Sequence, residues 1–390
     1  MKIKLKQAFD LQMGKTPARN QAENWGGNHR WVSIADIGNA EKYIAKTKEC
    51  ITDAGINASG IKVVPQGTVI MSFKLSIGKT AITAQDMYTN EAIIAFIDKK
   101  IFEIDPNYLY HLCCGTDWTA GTNKAVMGLT LNKATLLEKE ISLPDICQQR
   151  KIAAKLDKID AIIADRQQQL TMIEQAVKSR FIELFGNYIN EGGKPLSELA
   201  TITGGLTKNS KRNAFNLKMP YLRVANVFFN RLDLNEILEI GVREDEIGKT
   251  LLQTGDLLFV EGNGSIEQIG RVAIWDGSIS PILHQNHLIK ARFHKKTILP
   301  EFALFYFMSQ EGRQQIISKS VSTSGLNTLS VNKISSLILP MPPIELQKQF
   351  AAFVAQTDKS KYYSQKFLTL CRLAVNIYEQ EWMKCQTLNF

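Results

Sequence analysis

The sequence predicts an α+β protein of two homologous domains, each followed by a long helix. Two observations carry this prediction: the first half of the chain recurs in the second half, and each copy ends in a heptad pattern. The repeat is too long for one unit of a solenoid, so each copy must be a folded domain with its connector. The length of 390 residues and the hydrophobic content of 44% suffice for two domain cores.

The repeated segments keep the same order in both copies. Residues 31–37 (WVSIADI) return as 221–227 (YLRVANV), and 67–70 (GTVI) return as 255–258 (GDLL). The other matched pairs are 78–82 with 270–274, 104–106 with 298–300, 129–133 with 329–333, and 144–146 with 342–344. We therefore predict a first domain at 1–143, a first helix at 144–188, a second domain at 189–340 and a second helix at 341–390.

Within each domain, short strands alternate irregularly with turns and a few helices. Strand-like runs occur at 67–72, 93–97, 255–260, 271–275 and 287–293, and an aromatic-rich helix is predicted at 300–309. This order differs from the regular strand and helix alternation of a parallel sheet.

After each domain, apolar residues follow one another at alternating steps of four and three, which predicts a coiled-coil seam. The seam residues are Ile152, Leu156, Ile159, Ile163, Leu170, Ile173 and Val177 in the first helix, and Phe350, Val354, Leu368 and Val375 in the second. Arg166, Lys361 and Ser364 mark a more polar middle, and Gly186 is expected to end the first helix.

Geometry predicts how the helices pair. About 40 helical residues span roughly 60 Å, whereas a domain of about 150 residues is about 35 to 40 Å across. The first helix starts at the first domain and leads to the second, so helices that pair along their length must run antiparallel. The expected arrangement has approximate two-fold symmetry, with one domain at each end of the helical pair. Two separate surface helices are the alternative.

Charge and composition indicate a polyanionic partner. The net charge of +9 divides into +4 for residues 1–190 and +5 for 191–390, so both copies are mildly basic. An ordinary basic protein is the alternative. No signal peptide, membrane-spanning segment or Cys-x-x-Cys spacing is present, so we expect a cytoplasmic protein without structural zinc.

Motifs for catalysis are incomplete. The Gly-Lys-Thr triplets at 14–16 and 78–80 lack the upstream glycine of a phosphate-binding loop. The Pro342-Pro343 pair lacks the Asn or Asp of an amine methyltransferase loop, and Asp98-Lys99-Lys100 is only the end of a nuclease set. We therefore predict no catalytic residue, no metal site and no cofactor bound by this chain.

Polar loops differ between the copies while the apolar framework repeats. We expect these loops to contact DNA, with basic side chains on phosphates and Asn, Gln, Ser, Thr and His on base edges. The candidate residues are Lys15, Thr16, Arg19, Lys79, Asn123, Lys124, Lys208, Lys211, Arg212, Arg223, Asn263, His284, Asn286, Ser324 and Asn327.

The motifs resemble those of the specificity subunits of type I restriction-modification systems, over essentially the whole chain. The helix starts at 143–150 (LPDICQQR) and 339–348 (LPMPPIELQK) are similar to the Leu-Pro or Pro-Pro-x-x-Glu-Gln starts of that family. Residues 221–227, 255–258 and 269–273 also resemble it. Cys147 replaces the usual acidic residue of helix one, and Leu346 interrupts the Glu-Gln pair of helix two, which affects helix starts rather than DNA reading.

The resemblance implies a non-catalytic subunit. It would bind double-stranded DNA and hold two modification (methyltransferase) subunits, which use S-adenosylmethionine, and restriction/translocase subunits, which use ATP and magnesium. Each domain would read half of a split, asymmetric site, and the helices would set the gap. A coiled-coil interaction scaffold with protein-binding domains is the alternative function, and a self-contained nuclease or methyltransferase is disfavoured by the missing catalytic sets.

Overall fold

The computed structural model describes residues 1–74, 76–118, 131–294, 297–323 and 325–384. It divides into two compact units, unit 1 with Met1–Gln168 and Ser364–Phe390, and unit 2 with Gln169–Tyr363. Each unit contains one sheet-rich domain and a part of each of two long helices. The mixture of strands and helices in each unit confirms the predicted α+β class.

Unit 1 is built on a five-stranded sheet in the order β2-β9-β6-β7-β4, a three-stranded sheet β5-β3-β8 and a pair β1-β10. The strands are β1 (Lys2–Lys4), β2 (Phe9–Met13), β3 (Trp25–Val32), β4 (Tyr43–Ile44), β5 (Glu49–Ile51), β6 (Val69–Ser72), β7 (Thr80–Thr83), β8 (Tyr88–Thr89), β9 (Ile93–Asp98) and β10 (Glu140–Ser142). The helices are α1 (Leu5–Ala8), α2 (Ile34–Asn39), α3 (Asp53–Ser59), α4 (Pro106–Gly115), α5 (Lys133–Glu138) and the first part of the long α6 (Ile146–Ile189), whose second part belongs to unit 2.

Unit 2 is built on a four-stranded sheet β12-β21-β17-β19, two three-stranded sheets β16-β13-β20 and β18-β23-β22, and the pairs β11-β24 and β14-β15. Its strands are β11 (Lys194–Pro195), β12 (Ala200–Gly204), β13 (Lys218–Leu222), β14 (Val227–Phe228), β15 (Arg231–Leu232), β16 (Leu238–Gly241), β17 (Leu257–Val260), β18 (Gly262–Asn263), β19 (Val272–Ile274), β20 (Leu283–His284), β21 (Leu288–Phe293), β22 (Val321–Thr323), β23 (Leu326–Thr328) and β24 (Ile338–Leu339). Its helices are α7 (Leu196–Leu199), α8 (Glu244–Thr250), α9 (Pro300–Met308), α10 (Gln310–Lys319), α11 (Val331–Ser335) and the first part of the long α12 (Ile344–Lys384), whose second part belongs to unit 1.

The two sheet systems repeat each other strand by strand. The order β2-β9-β6-β7 in unit 1 equals β12-β21-β17-β19 in unit 2, and β5-β3-β8 equals β16-β13-β20. The central strands β6 and β17 are buried at every position, because both of their faces are covered and their sequences are nearly continuous apolar runs. In the described residues, β4 is specific to unit 1, whereas β14-β15 and β18-β23-β22 are specific to unit 2.

The long helices contain 44 residues (α6) and 41 residues (α12). The first predicted helix end is wrong, because α6 continues through Gly186 to Ile189. Leu184 and Ile189 pack against the core of unit 2, and this burial offsets the cost of about 1 kcal/mol for a glycine inside a helix.

The predicted heptad positions follow the buried side of each helix. Along α6, Ile152, Leu156 and Val177 are buried, and the positions between them are half-buried. The same holds on α12, where Phe350, Val354 and Leu368 are buried. The remaining predicted seam residues, each half-buried, are Ile159, Ile163, Leu170, Ile173 and Val375.

Within each unit the parts of α6 and α12 run antiparallel. In unit 1, the guanidinium carbon of Arg166 lies 5.4 Å from the centre of the Phe367 ring, and Val375 packs against the core that contains Ile152 and Leu156. Residue numbers therefore fall along α6 as they rise along α12. In unit 2, the Phe350 ring near the start of α12 lies 5.5 Å from the ring of Phe185 near the end of α6.

Candidate nucleic-acid interface

Three predicted DNA-contacting residues follow β2 on the surface of unit 1. The ammonium of exposed Lys15 donates to the carbonyl oxygen of Ser59 (2.9 Å), and the Thr16 hydroxyl donates to the Glu91 carboxylate. Arg19 is exposed and lies three residues further along the same loop. These side chains are accessible, but each already has a partner in the protein.

Arg19 combines a carboxylate partner with an aromatic surface. Its guanidinium lies 2.5 Å from the Glu49 carboxylate, and its central carbon lies 3.9 Å from the ring centre of Trp25 and 5.0 Å from that of Trp31. Cation–π contacts of this kind fix the orientation of an arginine, and the edge of Arg19 donates two hydrogen bonds to the Glu49 carboxylate. The geometry pre-orders Arg19 at the surface.

A cavity of about 460 Å³ lies beside this loop and is open to solvent. Its walls combine ammonium, amide and hydroxyl groups with one carboxylate. It is lined by Lys15, Thr16, Ala18, Gln21, Asn24, Ala58, Ser59 and Glu91. Amide and hydroxyl groups hydrogen-bond base edges, and ammonium groups bind phosphates.

Two predicted residues from distant parts of unit 2 come together on a small sheet. Asn263 in β18 lies directly across the ladder from Asn327 in β23. The Asn327 amide donates to the carbonyl oxygens of Asn263 (3.4 Å) and Gly264 (3.3 Å). Both asparagines are half-buried, and they present a paired amide surface that neither sequence segment alone could define.

Lys208 and Lys211 are exposed, as expected for phosphate contacts, but the predicted role of Arg212 does not fit its position. Arg212 is only 8% exposed, and its guanidinium forms two hydrogen bonds to the Glu246 carboxylate (2.9 and 3.0 Å). It also donates to the carbonyl oxygens of Thr207 and Gly241. Arg212 therefore holds the loop together from inside.

His284 also lies in the interior, which contradicts its predicted role at a base edge. The residue is fully buried in β20, and Nδ1 donates to the Leu288 carbonyl oxygen (2.9 Å). Burial lowers the pKa of His284 to about 4, so the imidazole is neutral at pH 7. Its neighbour Asn286 is half-buried. The strand predicted at 287–293 does not include His284, which lies in the separate short strand β20 and is buried there.

Two further arginine and lysine candidates differ in their surroundings. The guanidinium of Arg223 is 2.6 Å from the Glu236 carboxylate, and its Nε is buried without a hydrogen-bond partner in the protein. Lys79 is exposed and forms no ion pair within the part of the chain that the structure describes. The candidates Asn123, Lys124 and Ser324 lie outside the described residues.

Sequence reasoning missed the role of two glutamines at the helix starts. Gln149 in unit 1 is fully buried, accepts from the Asp105 amide (2.9 Å) and donates to the carbonyl oxygens of Glu103 and Pro144. Gln347 in unit 2 is fully buried and makes the equivalent three bonds, to the Leu299 amide and the carbonyl oxygens of residues 297 and 342. The signal was present, because these glutamines occupy the same position of the repeated helix starts.

Three arginines of unit 2 that sequence reasoning also missed lie beside aromatic rings. The guanidinium carbons of Arg231 and Arg271 lie 4.2 and 5.0 Å from the ring centre of Phe228, and that of Arg313 lies 5.0 Å from the ring centre of Phe229. Arg271 could have been found, because Gly270-Arg271 repeats Gly78-Lys79.

The described residues contain no group of three or more His, Cys, Asp or Glu side chains placed to bind a metal ion. Over the same residues, every helix is too short or too polar to cross a bilayer. The surface features of both units are instead basic, amide and hydroxyl side chains on loops that differ between two copies of one framework.

A duplicated α+β domain with polar loops of different sequence, followed each time by a long helix, defines a DNA-recognition protein with two target-recognition domains. The chain belongs to the family described as type I restriction modification DNA specificity domain, whose model matches residues 1–175 and 193–366. The family assignment confirms the resemblance seen in the sequence, and the two matched ranges reproduce the internal repeat.

Named relatives support the same assignment. The chain is 24% identical over 383 residues to the type I restriction enzyme MjaIX specificity subunit of Methanocaldococcus jannaschii, covering 90% of this chain and 85% of that protein. It is 30% identical over 238 residues to the type I restriction enzyme EcoKI specificity subunit of Escherichia coli, covering 55% of this chain and 50% of that protein. The second match thus spans half of the EcoKI subunit.

Solved structures share the fold at low sequence identity. The S subunit of a type I restriction-modification system from M. genitalium aligns with a TM-score of 0.54 at 14% identity, over 97% of this chain and 94% of that one. A chain from a structure of type I restriction-modification complex assembly and conformational transition aligns with a TM-score of 0.59 at 15% identity, over 98% and 96%. The likeness covers both domains and both long helices.

Proposed function

We propose that the protein is the DNA sequence-specificity subunit of a type I restriction-modification complex. Each domain reads one half of a bipartite, asymmetric DNA site, and the paired helices set the gap between the halves. The observation that carries this proposal is the contrast between the two units: their frameworks repeat strand by strand, whereas their exposed polar loops differ. One framework with two sets of loops suits one class of ligand with two different sequences.

The proposal gives the chain no reaction of its own. Two modification subunits dock on the helices and supply methyl transfer with S-adenosylmethionine, and restriction/translocase subunits use ATP and magnesium. The complex works in the cytoplasm, where its DNA is. The incomplete catalytic motifs support this division of labour.

The testing experiment selects duplexes from a random pool with the full-length protein. The expected product is a motif of two short conserved parts separated by a fixed unspecified gap. A single continuous motif, or no enrichment at all, contradicts the proposal. Replacing both Asn263 and Asn327 with Ala in unit 2 should alter one part of the motif and leave the other part unchanged, because the amide pair belongs to one domain.

The interaction-scaffold alternative is separated by a salt titration. Binding through phosphate contacts weakens steeply with salt, because each contact releases counterions from DNA. A scaffold that binds proteins shows no such salt-dependent binding of duplex DNA. Incubating the purified chain with DNA and S-adenosylmethionine is the further control, and methylation in the absence of other subunits would overturn the non-catalytic assignment.

A further inference from the structure

Within the part of the chain that the structure describes, three arginines of unit 2 differ from its other five in forming no ion pair with a carboxylate. Five arginines of this unit form ion pairs with Asp or Glu: Arg180, Arg212, Arg223, Arg243 and Arg292. No ion pair within the described residues involves Arg231, Arg271 or Arg313. The three guanidiniums without an ion pair are the same three that lie beside Phe228 and Phe229. That of Arg313 also donates to the backbone carbonyl oxygens of Ile269 and Glu267.

These arginines form one surface patch around a hairpin. Phe228 of β14 and Arg231 of β15 are cross-strand neighbours, and the hairpin is tied to β19 by a hydrogen bond from the Asn230 amide to the Val272 carbonyl oxygen (2.9 Å). Arg271 immediately precedes β19, and its guanidinium carbon lies 5.0 Å from the centre of the same Phe228 ring. The hairpin thereby carries two cations on one aromatic ring.

Arg271 is costly to the protein unless an anion binds it. Its Nε is buried without a hydrogen-bond partner in the protein, and burial lowers the pKa of its guanidinium. Within the described residues its guanidinium donates one hydrogen bond, to the Val224 carbonyl oxygen at 3.3 Å. A partly desolvated cation without a carboxylate is stabilised by an external anion, and a phosphate matches the planar fork of arginine.

Unit 1 has a cation at the equivalent position. Gly78 and Gly270 both adopt positive φ (90° and 62°), and their amides donate to the equivalent carbonyl oxygens of Ser72 and Val260. The residue that follows is Lys79 in unit 1 and Arg271 in unit 2. Gly38 is the counterpart of Phe228 in the repeat, and a Cβ at Gly38 would lie 2.7 Å from the Lys79 ammonium. Lys79 therefore lies beside residue 38 as Arg271 lies beside residue 228.

The geometry points to a repeated phosphate-binding site on the two domains, with Lys79 in unit 1 and Arg271 in unit 2 as its centres, extended in unit 2 by Arg231 and Arg313. The ligand is the sugar-phosphate backbone of duplex DNA. The inference rests on the proposed function and adds to it the side chains that anchor each domain independently of sequence. Phosphate contacts fix orientation and carry no sequence information.

The test compares two double variants of the full-length protein in duplex-binding titrations at several salt concentrations. Lys79→Gln with Arg271→Gln removes the two centres. The matched control, Lys4→Gln with Arg243→Gln, removes the same charge from exposed cations that are paired with carboxylates. Each lost phosphate contact lowers the slope of log affinity against log salt by about 0.9.

The centre variant should therefore lose about 1.8 from the slope, so its affinity ratio between 50 and 200 mM salt shrinks by about 12-fold. The loss should be equal on selected and unrelated duplexes, and the control should keep the wild-type slope. Arg231→Gln serves as a second variant, because this exposed side chain makes no hydrogen bond within the described residues. Arg231→Gln should lower the slope of log affinity against log salt by about 0.9. Arg271→Lys should keep the wild-type slope, because lysine keeps the positive charge.

A wild-type slope in the centre variant and in Arg231→Gln would overturn the inference while leaving the proposed function intact. A loss confined to one duplex sequence would also overturn it, because the arginines would then read bases. Absence of any salt-dependent duplex binding by the wild-type protein would instead overturn the proposed function itself.

Discussion

The length of the paired helices should set the gap in the DNA site, and a matched deletion tests this directly. In unit 1, Ile163 on α6 is half-buried, Leu368 on α12 is buried, and Arg166 lies over the Phe367 ring at 5.4 Å. Deleting residues 162–168 and 365–371 removes one heptad from each helix opposite the other. Each remaining seam stays in register, because seven residues fall only about 20° short of two full turns.

The magnitude follows from helix geometry. Seven residues at about 1.5 Å shorten each helix by about 10 Å, which equals about three base pairs at about 3.4 Å each. Three base pairs also rotate a half-site by about 100° around the duplex, since one turn contains about 10.5 base pairs. The deletion should therefore shorten the preferred gap by about three base pairs. It should also weaken binding, because removing one heptad turns the end of a helix by only about 20°, whereas the half-site turns by about 100°.

The assay is selection from duplex pools with wild-type and deleted proteins, followed by measurement of the gap between the two conserved parts. A variant with only residues 162–168 deleted is the control, and it should lose its cooperative unfolding transition because the two seams no longer match. Enrichment of the wild-type gap with wild-type affinity by the doubly deleted protein would refute the reasoning. Enrichment of two unlinked half-sites would show that the spacing function depends on the intact helices.

Three further predictions concern the stability of single units. Gln347→Ala should lower the unfolding free energy by about 1–3 kcal/mol in a denaturant titration, because the Leu299 amide is left unpaired. Gln148→Ala, at an exposed side chain, should have almost no effect, and equal effects of the two substitutions would contradict a structural role for Gln347. Phe350→Ala should lower the unfolding free energy by about 3–5 kcal/mol, because its ring is fully buried against Phe181, Phe185 and Phe305. Leu370→Ala, at a side chain that is 54% exposed, should change the unfolding free energy little. Burial lowers the pKa of His284 from 6.5 to about 4, so the unfolded chain binds the proton at a higher pH than the folded chain does. The free energy of unfolding should therefore fall by roughly 1 kcal/mol per pH unit as pH drops from about 6.5 to about 4. His284→Gln should flatten this part of the stability curve, and an unchanged curve would contradict the assignment.

The framework could be predicted from the sequence because burial leaves a repeated pattern. The run at 93–97 became β9, since a central strand covered on both faces needs a continuous apolar sequence. The run at 287–293 became β21, in which Lys290 bonds to a backbone carbonyl oxygen and Arg292 to the Asp256 carboxylate. The helix predicted at 300–309 is α9, with Pro300 in its first turn. The end of α6 was missed because local glycine propensity, worth about 1 kcal/mol, is smaller than the burial of Leu184 and Ile189.

The interface could be predicted only in part, because exposure depends on contacts between distant residues. Arg212 looked like a surface cation, but Glu246, 34 positions away, pairs with it inside unit 2. His284 looked polar and accessible, but its position in β20 turns it toward the core. Asn263 and Asn327 became neighbours through a ladder that joins positions 64 residues apart.

The two copies also distinguish positions required for folding from positions required for binding. Gln149 and Gln347 recur because buried amides and carbonyls of the backbone need partners, and their six hydrogen bonds account for their identity. Lys79 and Arg271 recur at an equally fixed position, yet no carboxylate within the described residues pairs with either. Folding alone gives no reason to keep a positive charge at Arg271, since its Nε is buried without a partner and such burial costs free energy. The external anion that we propose, bound in the same way by both domains, would supply that reason.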